Sequence, residues 1–343
     1  MSKNILVTGG AGFIGHQVIN LIFNSTDWNV TLIDRLSYAG NLNRVNEVIN
    51  DSQEGVQKRF KFLYHDLKAP ISDQMIRELE NINIILHIGA SSHVNRSIQD
   101  PNLFVQDNIL GTFNLLEAAR KIDNLDLFYY FSTDEVFGPS DNVKKFKEWD
   151  RYNSKNPYSA TKAAGEELTI AYNNTYSIPS LISHCCNVYG VRQNPEKFIP
   201  NTIRKILSNE KLTVHTDAEN NPGSRYYIFN DDLSKSILYL IDNFEIVKKQ
   251  CFDNQLKSPP KINISGENLI SNLEIVEKVG RLLNKDFDYI LENNDPERPG
   301  HDIKYGLDVS LIKSIGAHFD RSFDDGLENT VKWFVENQNW LKS

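Results

Sequence analysis

The chain has 343 residues, 40% of them hydrophobic, enough for a large α/β core and too many for a disordered polymer. Its net charge of -8 is spread without a basic stripe, so no nucleic-acid partner is expected. No apolar run approaches the roughly 18 residues of a bilayer span, and strand-like sequence begins at Asn4 with no room for a signal peptide, so a cytoplasmic protein without a membrane partner is expected.

The first element is the apolar run Asn4–Thr8, which enters NILVTGGAGFIG. Its glycines are spaced three apart: Gly9 for a tight turn, Gly12 for close backbone approach to a pyrophosphate, and Gly15 for close packing of the next helix. FIGHQVINLIF continues at helical spacing, and VTLIDR supplies a second strand ending in Asp34, about 20 residues after the last glycine. A carboxylate there accepts from both ribose hydroxyls of an adenosine and repels a 2′-phosphate, which favours NAD over NADP; Arg35, next in sequence, softens that preference. The alternative is a turn cluster of glycines between two ordinary strands.

Strand-like runs then alternate with loops or helical segments: FKFLYH, IILHIG, LFYYFS and SLISHC. This rhythm predicts βαβ units in a Rossmann-type doubly wound parallel sheet, with ligands at the carboxyl ends of its strands. From about Val188 the rhythm weakens and prolines punctuate shorter elements, among them the helices LSKSILYLIDNF and SNLEIVEKVGRLL and an exposed loop over 216–224. We therefore expect an NAD-binding domain over 1–188 and a smaller C-terminal substrate-binding lobe over 189–343, part of which is free to return and pack on the first domain.

Chemistry-bearing residues cluster at two places. At the end of LFYYFS, Ser132, Thr133, Asp134 and Glu135 place a hydroxyl and adjacent carboxylates where strand gives way to loop. Paired carboxylates serve when one is protonated and the other ionised; the alternative is a solvated turn or a helix N-cap. In NPYSATKAAGEEL, Tyr158 and Lys162 lie four apart behind an Asn-Pro helix entry, so both project from one face. A lysine so placed lowers the phenol's pKa, and the tyrosinate takes a proton from a sugar hydroxyl as hydride leaves the same carbon. Tyr64 and Lys68 share the spacing but lack that context, and read as a structural pair. Cys185, Cys186 and Cys251 are odd in number and suggest buried small hydrophobes rather than disulfides. The eight histidines show no ligand spacing, and His184 and Cys185 point to opposite faces of a strand, so no metal is expected.

TGGAGFIG with the Tyr158/Lys162 pair and the preceding Ser-Thr resembles the extended short-chain dehydrogenase/reductase superfamily, whose members act on nucleotide sugars. Within it, STDEVFG together with DRLSYAGN, SSHVNRSI, YSATKA, NVYG, EKFIP and RPGHDIKY resembles the dTDP-glucose 4,6-dehydratase family, over residues 7 to about 308. Epimerases and decarboxylases of the superfamily share the cofactor motif and the Tyr/Lys pair but lack the Asp-Glu doublet.

The resemblance implies a catalytic set of Thr133, Asp134, Glu135, Tyr158 and Lys162. Tyr158 would serve oxidation at C4 with NAD as hydride acceptor and Thr133 on the 4-hydroxyl. Glu135 would remove the acidified C5 proton while protonated Asp134 donates to the departing C6 hydroxyl, and the hydride would return to C6, regenerating tightly bound NAD. NAD would lie against Gly9, Gly12, Phe13, Ile14, Gly15, Asp34, Arg35, Leu36, Ser37, Asp66, Leu67, Ile88, Gly89, Ala90, Tyr158 and Lys162. The sugar nucleotide would lie against Ser92, Thr133, Asn187, Lys197, Phe198, His215, Arg225, Asn268, Arg298 and His301, where the cations answer a diphosphate.

Ser91, Asn95, Val188 and His215 stand where the family usually has Glu, Asp, Asn and a base-stacking Tyr, and TDAENNPGSRYYIFND departs from the family's shorter loop. These departures touch the nucleotide pocket, so UDP-glucose is an alternative substrate to dTDP-glucose. A 4-epimerase or decarboxylase and a non-catalytic NAD sensor remain competing readings. The resemblance also implies a homodimer, built on LFVQDNILGTFNLLEAAR and AAGEELTIAYNNTY, although burial against the sheet accounts for their apolar positions equally well.

Overall fold

The computed structural model describes residues 2–52, 54–140, 145–217, 219–253, 259–293, 305–317 and 321–342. The six apolar runs of the first half become β1 (Asn4–Thr8), β2 (Asn29–Asp34), β3 (Phe60–Tyr64), β4 (Ile84–His87), β5 (Leu127–Thr133) and β6 (Ser180–Cys185). The shorter strands that follow are β7 (Asn187–Tyr189), β8 (Leu212–Thr216), β9 (Ser224–Phe229), β10 (Lys261–Ile264), β11 (Leu269–Ser271) and β12 (Tyr289–Asn293). The main sheet has seven parallel strands in the order β10-β6-β5-β4-β1-β2-β3. Strand β5 is buried at every position, as a central strand covered on both faces must be.

Alternate residues of the strands feed two cores. Ile5, Val7 and Tyr129 meet Val18 and Ile22 of the helix Phe13–Ser25 and Leu233 and Ile237 of the helix Asn230–Asp242. Leu6, Ile85, Phe128 and Tyr130 face the other way, toward Leu115 of the helix Gly111–Ala119 and Tyr172 of the helix Pro157–Tyr176. A third core, with Ile203, Val214, Ile275, Val279 and Phe334, underlies the smaller sheets β11-β9-β7 and β12-β8.

The second half of the chain thus contributes to both bodies. LSKSILYLIDNF, which the sequence pattern alone assigns to the smaller lobe, packs on the main sheet, and β10 pairs with β6 at that sheet's edge. Order reverses between β1 and β4, so the crevice at their carboxyl ends is the switch point where an open α/β sheet binds ligands. The Tyr64/Lys68 pair does not form: Tyr64 is 67% exposed, and Lys68 is ion-paired with Asp66.

Candidate active site

The turn after β1 is closed by backbone sterics. Gly9 has a φ of 70°, and a Cβ there would meet Gly89 Cα at 2.6 Å. A Cβ on Gly15 would meet Gly9 O at 2.5 Å, so the helix Phe13–Ser25 sits as close to the strand as the glycine spacing requires. That helix starts at Gly12 with no side-chain cap and no acidic residue in its first turn, which leaves its first N–H groups directed at the crevice.

Asp34 ends β2 with Oδ2 accepting from Ala11 N at 3.1 Å and Oδ1 from Leu36 N at 2.8 Å. A cavity of about 130 Å³ joins it to Gly9, Arg35, Ser37, Asp66, Leu67, Ile88, Gly89, Ala90 and Ser92. The Arg35 guanidinium forks onto both oxygens of Asp107 at 2.6 Å and reaches Asp66 at 3.4 Å. Asp107 also accepts from Ser91 Oγ at 2.6 Å. Arg35 is therefore committed to carboxylates, and the softening of NAD preference allowed on sequence grounds does not follow. This crevice, a glycine cradle ending in an acid, fits a dinucleotide with free ribose hydroxyls.

A second cavity, of about 380 Å³, shares Tyr38, Ala39, Ile88, Ala90 and Ser92 with the first, so the two form one groove. Phe13, Ile14, Thr133, Asp134, Glu135, Tyr158, Lys162, Asn187, Lys197, Phe198 and Arg225 line it. The sequence brings Tyr158 and Lys162 here by a strong helix start: Asn156 caps Ser159 N at 2.8 Å, Ser159 returns the bond, and Pro157 occupies the first turn.

Within the cavity Thr133 donates to Asp134 Oδ1 at 3.1 Å and lies within hydrogen-bond reach of the Tyr158 phenol. Burial, with the neighbouring Glu135 charge, lifts the Asp134 carboxyl to about 7, against the hydrogen bond from Thr133 and the charge of Arg225. Glu135 accepts from Asn156 Nδ2 at 3.1 Å and is only partly buried. Two adjacent carboxylates therefore differ in environment, one dry and inclined to hold its proton. Burial and the Glu135 charge push the Tyr158 phenol well up, opposed by Thr133, and burial brings the Lys162 ammonium down to about 7. Its Nζ donates to Phe131 O at 2.7 Å.

Some expected residues fall elsewhere. Gly12, Gly15 and Leu36 shape the turns without lining either cavity, Leu36 at a φ of 55°. His215 on β8 and the exposed Asn268 do not line them either, and Arg298 and His301 lie outside the described residues. Sequence reading missed Tyr38, Asp107, Cys185, Cys186, Glu196, Tyr227 and Tyr305, all of which line the groove. Tyr38 and Glu196 lay inside motifs already singled out; Asp107 carries no local signal. All three cysteines are buried and free, and among the described residues no acidic, His and Cys cluster could hold a metal. Among the same residues no helix is long and apolar enough to cross a membrane.

The family model described as GDP-mannose 4,6 dehydratase matches residues 6–330. A dTDP-glucose 4,6-dehydratase of Escherichia coli is 33% identical over 98% of this chain and 94% of its own length. That of Neisseria gonorrhoeae is 34% identical, over 98% of this chain and 96% of its own. The Streptomyces venezuelae dTDP-glucose 4,6-dehydratase DesIV, solved with NAD bound, superposes with a TM-score of 0.85 at 30% identity over 99% of both chains. The match spans the sheet, the cradle and the Thr-Asp-Glu and Tyr/Lys groups just described. On this basis the chain belongs to the NAD-dependent epimerase/dehydratase family of extended short-chain dehydrogenases/reductases, and it is a nucleotide-sugar 4,6-dehydratase, a hydro-lyase, of the dTDP-glucose type.

Proposed function

We propose that the chain converts dTDP-glucose to dTDP-4-keto-6-deoxyglucose with NAD held in the groove as a resident cofactor. The observation that carries this reading is the Asp134/Glu135 doublet, one carboxyl buried and inclined to stay protonated, opening into the same cavity as Tyr158 and Lys162. Bound NAD supplies the hydride acceptor at C4 and the hydride donor at C6. Tyr158 accepts the 4-hydroxyl proton, steadied by Thr133 and by the charge of Lys162. The resulting ketone acidifies C5–H; Glu135 takes that proton as Asp134 protonates the departing C6 hydroxyl, which leaves as water. Glu135 finally returns a proton to C5; the proton Tyr158 took from the 4-hydroxyl equals the one Asp134 gave to the water, and its passage from Tyr158 to Asp134, by way of Thr133 or solvent, returns each side chain to its starting state.

Gly9, Gly12, Phe13, Ile14 and Gly15 suit the NAD pyrophosphate, and Asp34, Arg35, Leu36, Ser37, Asp66, Leu67, Ile88, Gly89 and Ala90 the adenosine end. Ser92, Asn187, Lys197, Phe198 and Arg225, with Arg298 and His301, are proposed for the sugar nucleotide; His215 and Asn268 would serve through the smaller lobe. In this reading residues 1–188 bind NAD and 189–343 supply the substrate side. Three buried free thiols suit a reducing, cytoplasmic compartment. A homodimer is part of the same proposal, supported by Val105, Leu110, Phe113 and Tyr176, which leave apolar surface exposed on the two helical segments named for it.

The test is incubation of purified protein with dTDP-glucose and, separately, with UDP-glucose, reading loss of one water by mass and the base-induced absorbance of a 4-keto sugar. Dehydration of dTDP-glucose is expected. Dehydration of UDP-glucose alone would move the base preference, and C4 inversion without water loss would overturn the reading in favour of an epimerase.

A further inference from the structure

Glu166 is a fully buried carboxylate that the reaction just described does not use. It follows Lys162 by four residues and Tyr158 by eight, so the three share one face of the helix Pro157–Tyr176. Groups from four other segments converge on it. Ser132 of β5 and Tyr152 of the preceding loop donate to its two oxygens. The ring of His184 in β6 lies 3.0 Å away, fixed on its other side by Asn263 at 2.9 Å. Lys261 Nζ, at the start of β10, lies 3.6 Å away and is itself 3% exposed. Ser132 stands between Phe131, whose carbonyl holds Lys162, and Thr133 in the catalytic cavity.

A buried ion cluster of this kind is weak evidence for stability, because desolvating its members costs about as much as their attraction returns. Its position suggests a different purpose. We infer that Glu166 is the buried counter-charge of Lys162, a positioning residue that acts through the lysine to favour the Tyr158 phenolate over the neutral phenol, with Lys261 and His184 metering its charge. This rests on the reading of Tyr158 as the base. In that reading Tyr158 and Lys162 divide one proton between them, and the useful arrangement places it on the lysine. Burial works against that arrangement and brings Lys162 down to about 7, while the Glu166 charge opposes the fall.

Glu166 itself stays ionised. Burial would raise it, but the charge and hydrogen bond of His184, the charge of Lys261 and the Ser132 hydroxyl outweigh burial and hold it at about 2. The other titratable groups facing this cluster do not compete for the role. Burial drives Tyr130 and Tyr152 upward, so both remain neutral phenols, and Glu148, also raised by burial, is engaged by Asn263 N at 3.4 Å. Glu167 faces Tyr152, while Asp134 and Glu135 face the Tyr158 end.

The experiment is a difference titration of tyrosinate absorbance in the NAD-loaded full chain without sugar, taking Tyr158→Phe as the blank, for wild type, Glu166→Gln, Glu166→Asp and Lys261→Met. Glu166→Gln is expected to lower the Tyr158 phenolate signal at neutral pH by about tenfold, the effect of about one pKa unit on the shared proton. Glu166→Asp, which keeps the charge, is expected to retain more of the signal. Lys261→Met, which unmasks the Glu166 charge and removes a like charge from Lys162, is expected to raise the signal. The opposite signs separate this role from packing, since a merely structural cluster would lose signal in every variant. Turnover should follow, with kcat down about tenfold and KM unchanged in Glu166→Gln. A folded Glu166→Gln with wild-type phenolate, equal losses in Gln and Asp, or a loss in Lys261→Met would overturn the proposal. If Glu166→Gln does not fold, the direction of change in Lys261→Met decides. The titration needs no substrate, so failure of the dTDP-glucose reading would appear as absent turnover with the titration intact.

Discussion

At the residue scale the site depends on which groups are dry. Tyr158 is half-buried at the wall of the cavity, and burial with the Glu135 charge pushes its phenol up against the hydrogen bond of Thr133, so in the proposed mechanism the work of ionising it falls to Thr133 and to Lys162 one helical turn on. Tyr158→Phe is expected to cut kcat by about 10²–10⁴-fold, the usual worth of a positioned acid–base group, while the protein still copurifies with NAD; turnover within twofold of wild type would remove Tyr158 from the mechanism. Asp134 gives a prediction with two readouts. Asp134→Asn should stop elimination after oxidation at C4, so reduced nicotinamide absorbance builds up on adding the sugar nucleotide. The same substitution should stabilise the fold at alkaline pH. An acid raised to about 7 in the native state binds its proton more tightly there than when unfolded, so wild-type stability falls as pH rises from about 4 to 7 and stays low above that. Asn carries no such penalty, and urea melts should favour Asp134→Asn by a few kcal/mol, on the order of two to four, at pH 8 and not at pH 4.

At the element scale, helix starts and strand ends set the catalytic geometry. Asn156 both caps the helix Pro157–Tyr176 and donates to Glu135 Oε2 at 3.1 Å, which ties the start of the catalytic helix to the proposed base. Asn156→Ala should lose about 1 kcal/mol of stability as the cap is lost, and should lower kcat more than KM because Glu135 loses its anchor. A Ser at the same position restores the cap without reaching Glu135, so it should recover the melting temperature and not the rate. The helix also lies close to β5: a Cβ on Gly165 would stand 2.2 Å from the Tyr130 hydroxyl, so small residues along this face allow Lys162 to reach the Phe131 carbonyl.

At the scale of the whole molecule, the two bodies are held in register across the groove. Arg44, 2% exposed, donates to Ala11 O at 3.2 Å and Ala39 O at 2.8 Å beside the cradle, and to Arg192 O at 3.0 Å and Asn194 Oδ1 at 2.9 Å in the second half. Its guanidinium also lies over the Trp340 ring at 5.4 Å. Arg44→Met removes the guanidinium donors from the partly buried Ala39 O, Arg192 O and Asn194 Oδ1, while Ala11 O keeps Asn41 N, and should cost about 3 kcal/mol in urea unfolding, with weakened NAD retention. Association is tested separately: Phe113→Glu places a charge on the exposed apolar face and is expected to convert a dimer to monomers in sedimentation, whereas a monomeric wild type would dismiss the dimer.

Much of this was legible in the chain because the chemistry demands neighbours. A glycine cradle, an acid at the next strand end, a carboxylate doublet at a strand terminus and a Tyr/Lys pair one helical turn apart are all local patterns, and each of the six parallel strands of the first half is a short apolar run. What the sequence alone could not decide are relations between distant segments. Arg35 is neutralised by Asp107, 72 residues away, and that pairing removes its claim on a 2′-phosphate. Strand β10 carries Lys261 from the second half to the edge of the main sheet, and β6 delivers His184, so that both converge on Glu166. Periodicity specifies which face of an element is buried; only the packed sheet decides which distant charges share that interior, because burial of ions depends on partners brought together by the fold rather than by the chain.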